Sequence, residues 1–172
     1  MPLFRDIPQF TRDASYRVNV GWSYLENLLS DWGNDFQVVL EPDFQRAHVW
    51  DDTKRSRYVE FVLRGGRSSR DLQWNCTTWG KGYNTPVVLV DGLQRLTAVR
   101  KFLSNEIPIF NGYYFADYTD RLRIAGPDFV FCVNNLATRA ELLQWYIDLN
   151  AGGVAHTEEE IRKVKLLLSA EG

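Results

Sequence analysis

Residues 87–101 read Val-Val-Leu-Val-Asp-Gly-Leu-Gln-Arg-Leu-Thr-Ala-Val-Arg-Lys. The apolar run that ends at Asp91 predicts a strand buried on both faces, because a strand with one solvated face would alternate. Asp91-Gly92 predicts a sharp turn, and apolar residues at helical spacing predict a helix from Gly92 to about Asn105. Such a unit brings backbone N–H groups, a positive helix end and the Arg95 guanidinium together, as a phosphate site requires.

A structural explanation of the same turn stays open. Asp91 is a residue type that caps helices, and Gln94 lies where the partner of a capping box belongs. Arg95 falls at the margin of the apolar stripe of the helix, so its guanidinium is expected to be half-buried. A half-buried guanidinium needs a phosphate or a carboxylate partner. The turn therefore predicts either a phosphate site or a capped helix with a structural salt bridge.

The rest of the chain mixes helical and strand patterns without a regular alternation. It predicts one α+β domain over residues 1–172, a mixed sheet packed with about five helices, after an irregular lead-in over residues 1–18. Helices are predicted over residues 20–32, 51–64, 92–105, 138–150 and 157–170. Strands are predicted over residues 37–40, 72–79, 86–90, 107–110, 113–118 and 128–133, with a hairpin turn over residues 80–82.

Composition limits the classes of protein to which the chain can belong. Its 172 residues are 45% hydrophobic and carry a formal net charge of −2. That size suits one domain with a core, and that charge does not suit a strongly basic nucleic-acid module. A local basic patch stays open, since five arginines lie close together in sequence: Arg55, Arg57, Arg64, Arg67 and Arg70.

Cysteine spacing and hydropathy predict a cytoplasmic protein that has no membrane contact. Cys76 and Cys132 lack the spacing of metal ligands and lie in apolar runs, so both are predicted to be buried free thiols. No apolar stretch approaches the length of a membrane span, and the first residues do not read as a signal peptide.

A second polar cluster lies over residues 41–50, which Pro42 predicts to be a loop. It carries Gln45, Arg46 and Trp50. Arg46 and Trp50 could form a cation–π pair. In the functional alternative, Arg46 is a second phosphate contact and Trp50 is a wall of the site. The accompanying His48 is expected at the surface.

Two further clusters flank the start of the last helix. Asn150-Ala151-Gly152-Gly153 predicts either a helix C-cap or a place where the backbone approaches a ligand, with the Asn150 amide free to read a base or sugar. Glu158 and Glu159 complement the positive helix end. Thr157 and Glu160 are spaced as a capping box.

In this order the clusters resemble the N-terminal domain family of GmrSD-type modification-dependent restriction proteins, a distant relative of the ParB/sulfiredoxin fold. Residues 91–97, Asp-Gly-Leu-Gln-Arg-Leu-Thr, are similar to the family's Asp-Gly-Gln-Gln-Arg followed by Leu-Thr. Residues 42–50 are similar to its Pro-x-Phe-Gln-Arg-x-x-x-Trp loop. Residues 149–153 and 160–162 are similar to its Leu-Asn-x-Gly-Gly and Glu-Leu-Arg. The resemblance extends from about residue 36 to residue 168.

The resemblance implies a ParB/sulfiredoxin-like domain that binds a nucleotide, which in the family accompanies NTP hydrolysis and regulates cleavage of modified phage DNA. It implies catalytic roles for Asp91, Gln94 and Arg95, and Asp91 as a ligand of Mg²⁺ or another divalent ion bound with the NTP. The implied nucleotide and phosphate contacts are Gln45, Arg46, Gly92, Arg95, Thr97, Asn150 and Gly152.

Two departures from the family pattern keep other functions open. Leu93 stands where the motif has its first Gln, so one polar contact is missing. The chain has only His48 and His156 and no His-Asn-His type motif, so no C-terminal nuclease domain is expected. The alternatives are a ParB-like DNA-binding or nuclease module, and a non-catalytic protein that binds a nuclease or another partner in a restriction or anti-restriction system. A bacterial or a phage gene would suit either.

Overall fold

The computed structural model describes residues 3, 16–46, 48–81, 85–120, 126–151 and 158–171. Within these residues the chain forms one five-stranded mixed sheet and five α-helices, which confirms the predicted α+β class. The strands are β1 (Tyr16–Gly21), β2 (Val38–Val39), β3 (Asp71–Asn75), β4 (Val87–Asp91) and β5 (Asp128–Asn134). The helices are α1 (Leu25–Asp35), α2 (Asp52–Leu63), α3 (Leu93–Leu103), α4 (Arg139–Ala151) and α5 (Glu158–Ser169). None of the described helices is long and apolar enough to cross a membrane.

The strand order in the sheet is β1-β5-β3-β4-β2. β1 runs antiparallel to β5, and β5 runs parallel to β3. β3 runs antiparallel to β4, with a register shift between Gln73 and Trp74, and β4 runs parallel to the short β2. The carboxyl end of β4 therefore lies beside the start of β3, where Gln73 faces Asp91.

The sheet separates two hydrophobic cores, and β4 contributes to both. Val87 and Leu89 belong to the core that α1, α2 and α3 cover, whereas Val90 belongs to the core beneath α4 and α5. Because successive side chains of a strand point to opposite faces, a strand with a core on each side must be apolar throughout. The continuous apolar run at residues 87–90 is therefore explained.

A local signal explains the start of α2, whereas tertiary packing sets the end of α1. The Asp51 carboxylate accepts a hydrogen bond from the backbone N–H of Lys54 at 2.7 Å, which is the N-cap geometry that the sequence predicts. The helix predicted over residues 20–32 is displaced. A short 3₁₀ helix occupies Trp22–Tyr24, and α1 continues through Gly33 to Asp35. Packing of Trp32 against Trp74 and Phe131 extends α1 past the predicted stop at Gly33.

Two of the predicted features are wrong among the described residues. The irregular lead-in predicted for residues 1–18 overlaps β1, which begins at Tyr16 and pairs with β5. The edge strands predicted over residues 107–110 and 113–118 are replaced by one isolated bridge between Ile109 and Tyr113 and by a 3₁₀ helix at Phe115–Asp117. β1 forms because it pairs with the distant β5, whereas the bridge between Ile109 and Tyr113 joins residues that are close in sequence.

The remaining predicted elements lie within a few residues of their predicted bounds. Cys76 is a buried free thiol, as predicted, and Cys132 is free but only partly buried. Burial and the nearby Asp71 carboxylate raise the pKa of the Cys132 thiol. Gly82 of the predicted hairpin turn and Thr157 of the predicted capping box lie outside the described residues.

Candidate phosphate site

The turn between β4 and α3 requires a glycine. Gly92 has φ +113°, which side chains other than glycine rarely adopt. A Cβ at this position would lie 2.3 Å from Cδ2 of Leu72 and 3.3 Å from a terminal guanidinium nitrogen of Arg95. Backbone conformation and space both exclude a side chain here, so the turn brings β4, β3 and the start of α3 into close contact.

The start of α3 has no side-chain cap. Gly92, not Asp91, occupies the N-cap position, and the first helical hydrogen bond runs from the Leu96 N–H to the Gly92 carbonyl at 2.9 Å. The capping-box explanation of Asp91 and Gln94 is therefore wrong. The first turn of a helix presents N–H groups that have no partner within the helix, together with the positive end of its dipole.

Arg95 forms an ion pair with Asp91. One terminal nitrogen of its guanidinium lies 2.5 Å from the Asp91 carboxylate and 3.0 Å from the Asp71 carbonyl oxygen. The Arg95 side chain is 19% exposed, as its place at the margin of the apolar stripe predicts. Its Nε atom is buried and donates no hydrogen bond to any described residue. The carboxylate partner that the sequence left as an alternative is thus Asp91 itself.

Gln94 supports the loop that precedes α2. Its side chain is almost fully buried, and its Oε1 atom accepts hydrogen bonds from the backbone N–H groups of Val49 at 3.2 Å and Trp50 at 3.1 Å. A side chain with this role positions the wall of the site. Gln94 also lines the pocket, and its implied catalytic role stays a prediction.

Gln45 attaches the other end of the same loop to β4. Its Nε2 atom donates to the Val90 carbonyl at 3.2 Å and, more weakly, to the Leu89 carbonyl at 3.5 Å. β2 pairs with β4 only as far as Val88, so the Gln45 side chain replaces ladder hydrogen bonds beyond that point. These hydrogen bonds fix the loop that carries Arg46. Gln45 also lines the pocket, and its nucleotide contact stays a prediction.

Tyr146 of α4 lies behind this loop, and sequence patterns identified it only as an apolar residue of a helix. Its hydroxyl lies 3.5 Å from Oε1 of Gln45 and accepts a hydrogen bond from the backbone N–H of Arg46. Burial raises the pKa of Tyr146 to about 12, although the nearby Arg46 cation opposes the shift. The hydroxyl therefore stays neutral near pH 7 and bridges the loop to α4.

These contacts enclose a small pocket of about 50 Å³ at the start of α3. Its lining joins the two motifs that the sequence singled out: Gln45, Arg46, Trp50, Asp91, Gly92, Leu93, Gln94 and Arg95. Pockets that enclose a whole small molecule measure roughly 300–1,000 Å³. This one can enclose only a group of phosphate size.

Arg46 is the cation that faces this pocket from the loop. Its side chain is half-buried and forms no ion pair within the described part of the chain. The predicted cation–π pair with Trp50 is not formed. Lys54 instead places its ammonium group 5.1 Å from the centre of the Trp50 ring. Trp50 does line the pocket, as its predicted role as a wall requires.

Three of the implied contacts do not reach the described pocket or cannot be assessed. Thr97 lies further along α3 and is not part of the lining. Asn150 donates its side-chain amide to the Tyr146 carbonyl at 2.7 Å, within α4, and also lies outside the lining. Gly152 lies outside the described residues.

Asp91 is the acidic side chain in the pocket that could hold a metal ion. The described residues contain no group of three His, Cys, Asp or Glu side chains arranged for metal binding. Mg²⁺ commonly keeps several waters and uses one or two carboxylates together with substrate phosphates. Asp91 therefore fits a role as one ligand of an ion that arrives with a nucleotide, and it does not fit a metal site built by the protein alone.

The predicted basic cluster is divided among different partners. Arg55 pairs with Asp52 at 2.6 Å, and Arg70 pairs with Asp128. Arg57, Arg64 and Arg67 are exposed. His48 is also at the surface, as predicted, with Nε2 at 3.2 Å from the Glu41 carboxylate. Two of the five arginines are therefore neutralised, which weakens the case for a continuous DNA-binding surface.

No protein-family model, curated protein or solved structure matches the chain. The resemblance to the N-terminal domains of GmrSD-type proteins therefore stays a prediction from the sequence motifs.

Proposed function

We propose that this protein binds a nucleotide and that the phosphate groups occupy the pocket at the start of α3. The observation that carries the proposal is the half-buried Arg46 guanidinium, which faces the uncapped helix end without an ion pair in the described residues. Backbone N–H groups at a helix start and a guanidinium fork are both suited to phosphate oxygens.

The remaining pocket residues have different roles. Gly92 forms the turn that lines the pocket, and Gln45 and Gln94 hold the loop that carries Arg46. Arg95 is held by Asp91 and also lines the pocket. Bound Mg²⁺ would neutralise phosphate charge, with Asp91 as its ligand from the protein. Because the pocket encloses so little volume, the base and sugar would lie outside it.

The sequence resemblance supports the same proposal and extends it. It adds a ParB/sulfiredoxin-like arrangement of the α+β fold, hydrolysis of the nucleotide, and a role in restriction of modified phage DNA. Hydrolysis is tested by phosphate release from each NTP with Mg²⁺, comparing the parent protein with Asp91→Asn. If Asp91→Asn releases phosphate at the same rate as the parent protein, Asp91 has no role in hydrolysis. Phage restriction is tested by plating phages that carry modified DNA on bacteria that express the protein.

The binding proposal is tested with Arg46→Ala. The four NTPs and inorganic pyrophosphate are titrated by calorimetry, with and without Mg²⁺. Loss of one charge-assisted contact of roughly 1.5–3 kcal/mol is expected to weaken binding about tenfold to a hundredfold. Arg46 forms no ion pair with described residues, so the variant is expected to stay folded.

Arg64→Ala is the matched control, because Arg64 is an exposed arginine at the end of α2, outside the pocket lining. It removes the same charge and should leave the affinity unchanged. The proposal fails if no probe binds, or if both variants lose the same affinity, which would indicate unspecific attraction of anions.

A further inference from the structure

A second cavity, of about 860 Å³, lies at the end of the sheet where β1 ends and where β3 and β5 begin. This volume is in the range of pockets that enclose a whole small molecule, roughly 300–1,000 Å³. Apolar side chains from two helices and from the segment after α3 line it, among them Val62, Phe102, Ile109 and Phe115. None of its lining residues belongs to the lining of the phosphate pocket.

A row of aromatic rings leads from the interior of this cavity to its rim. Phe102 is buried and lies edge-on to Phe115 at 5.4 Å and to Tyr118 at 6.5 Å, and Tyr118 contacts Tyr113 at 6.2 Å. Tyr118 is 40% exposed, and Phe110, which also lines the cavity, is 46% exposed. The rim therefore offers exposed aromatic rings to a ligand.

Phe110 is held at the rim in a strained conformation. Its φ is +49°, a left-handed value that is an outlier for a bulky residue. Its backbone N–H donates to the Glu60 carboxylate, and paired hydrogen bonds between Ile109 and Tyr113 close the loop around it. Strain of this kind persists where the surroundings enforce it, and it is commonly found at ligand sites.

Among the described residues that line the cavity, the charged side chains are two cations and two anions. Arg70 pairs with Asp128, which also accepts a hydrogen bond from Asn19 at 2.7 Å. Arg67 and Asp120 supply one further charge of each sign and form no ion pair with the described residues. Equal numbers of cations and anions among these described side chains suit an uncharged group that has both donors and acceptors.

We propose that this cavity binds a planar, uncharged heteroaromatic group of nucleoside size, stacked on the exposed rings of Phe110 and Tyr118, with its polar edge toward Arg67 and Asp120. Such a group is supplied by a free nucleoside or by an unpaired base of a single strand. The proposal goes beyond the nucleotide phosphate site and does not depend on it.

The test is calorimetric titration with adenosine, guanosine, cytidine and uridine, and separately with a single-stranded oligonucleotide of mixed sequence. Phe110→Gly is expected to weaken binding about tenfold, the factor that loss of a stacking contact of about 1.4 kcal/mol gives. Glycine suits a positive φ, so this variant is expected to keep or raise the thermal unfolding midpoint. Tyr16→Ala is the control, because Tyr16 is a half-exposed aromatic at the far end of β1, outside the cavity.

Binding of nucleosides identifies a free small molecule, and binding of the oligonucleotide alone identifies an unpaired base. Either result supports the proposal if Phe110→Gly weakens it and Tyr16→Ala does not. The absence of binding by every probe overturns it. The proposal is also overturned if Phe110→Gly leaves the affinity unchanged. If Arg46→Ala then abolishes binding, the ligand lies in the phosphate pocket.

Discussion

Gly92 shows how a single residue links the fold to the candidate phosphate site. Its positive φ turns the chain from β4 into α3, and its missing side chain lets Leu72 and Arg95 approach the backbone. The conformation could be expected from Asp-Gly after a strand. The close approach of Leu72 could not be expected, because Leu72 lies in β3 and meets Gly92 only when β3 pairs with β4.

Replacing Gly92 with alanine is expected to destabilise the protein by about 2–4 kcal/mol. The change combines a disfavoured backbone conformation with a steric overlap at 2.3 Å from Leu72. Urea unfolding followed by circular dichroism measures the difference.

Gly33→Ala supplies the contrast, since Gly33 lies inside α1 and a Cβ added there would meet nothing within 4 Å. Alanine there is expected to stabilise the helix by roughly 0.5–1 kcal/mol. Equal effects of the two substitutions would contradict the account of the turn.

The loop over residues 42–50 shows how elements decide the roles of side chains. Gln45 binds carbonyl groups of β4, Gln94 of α3 binds N–H groups of Val49 and Trp50, and Phe44 packs against Tyr146 of α4. Sequence patterns identified both glutamines as candidate ligand contacts, yet each one satisfies backbone groups of another element. The loop is thereby fixed, and Arg46 is held at the pocket.

Gln94→Ala is expected to destabilise the protein by about 1–3 kcal/mol, because it leaves the N–H groups of Val49 and Trp50 without their acceptor. Hydrogen exchange at these two amides should become faster by more than the change in global stability explains. Gln144→Ala, at an exposed position of α4, should change stability by less than about 0.5 kcal/mol. Unchanged exchange at both amides in Gln94→Ala would contradict the assigned hydrogen bonds.

At the scale of the whole molecule, β4 couples two cores through one strand. Its side chains alternate between the core under α1, α2 and α3 and the core under α4 and α5. Phe44 and Tyr146 extend the second core to the loop that carries Arg46. Loss of packing in either core therefore destabilises β4, and the phosphate pocket lies at the end of β4.

Leu143→Ala is expected to destabilise the protein by about 2–5 kcal/mol, because Leu143 is fully buried in the second core. The unfolding transition should shift equally by circular dichroism and by tryptophan fluorescence, since five tryptophans lie outside that core and Trp145 lies within it. Leu166→Ala, at a side chain that is 64% exposed on α5, should have little effect. Separate transitions for the two probes would show that the cores unfold independently.

Elements whose signals are local can be read from the amino-acid sequence alone. The apolar run of β4, the cap at Asp51 and the helical spacing after Gly92 depend on neighbours a few residues away, so their pattern could be read directly. The tertiary structure decided what depends on distant partners: the pairing of β1 with β5 and the roles of Gln45 and Gln94. It also joined Arg46 to the Asp91–Arg95 turn in one pocket, because only the packing of the loop against β4 and α3 brings these groups together.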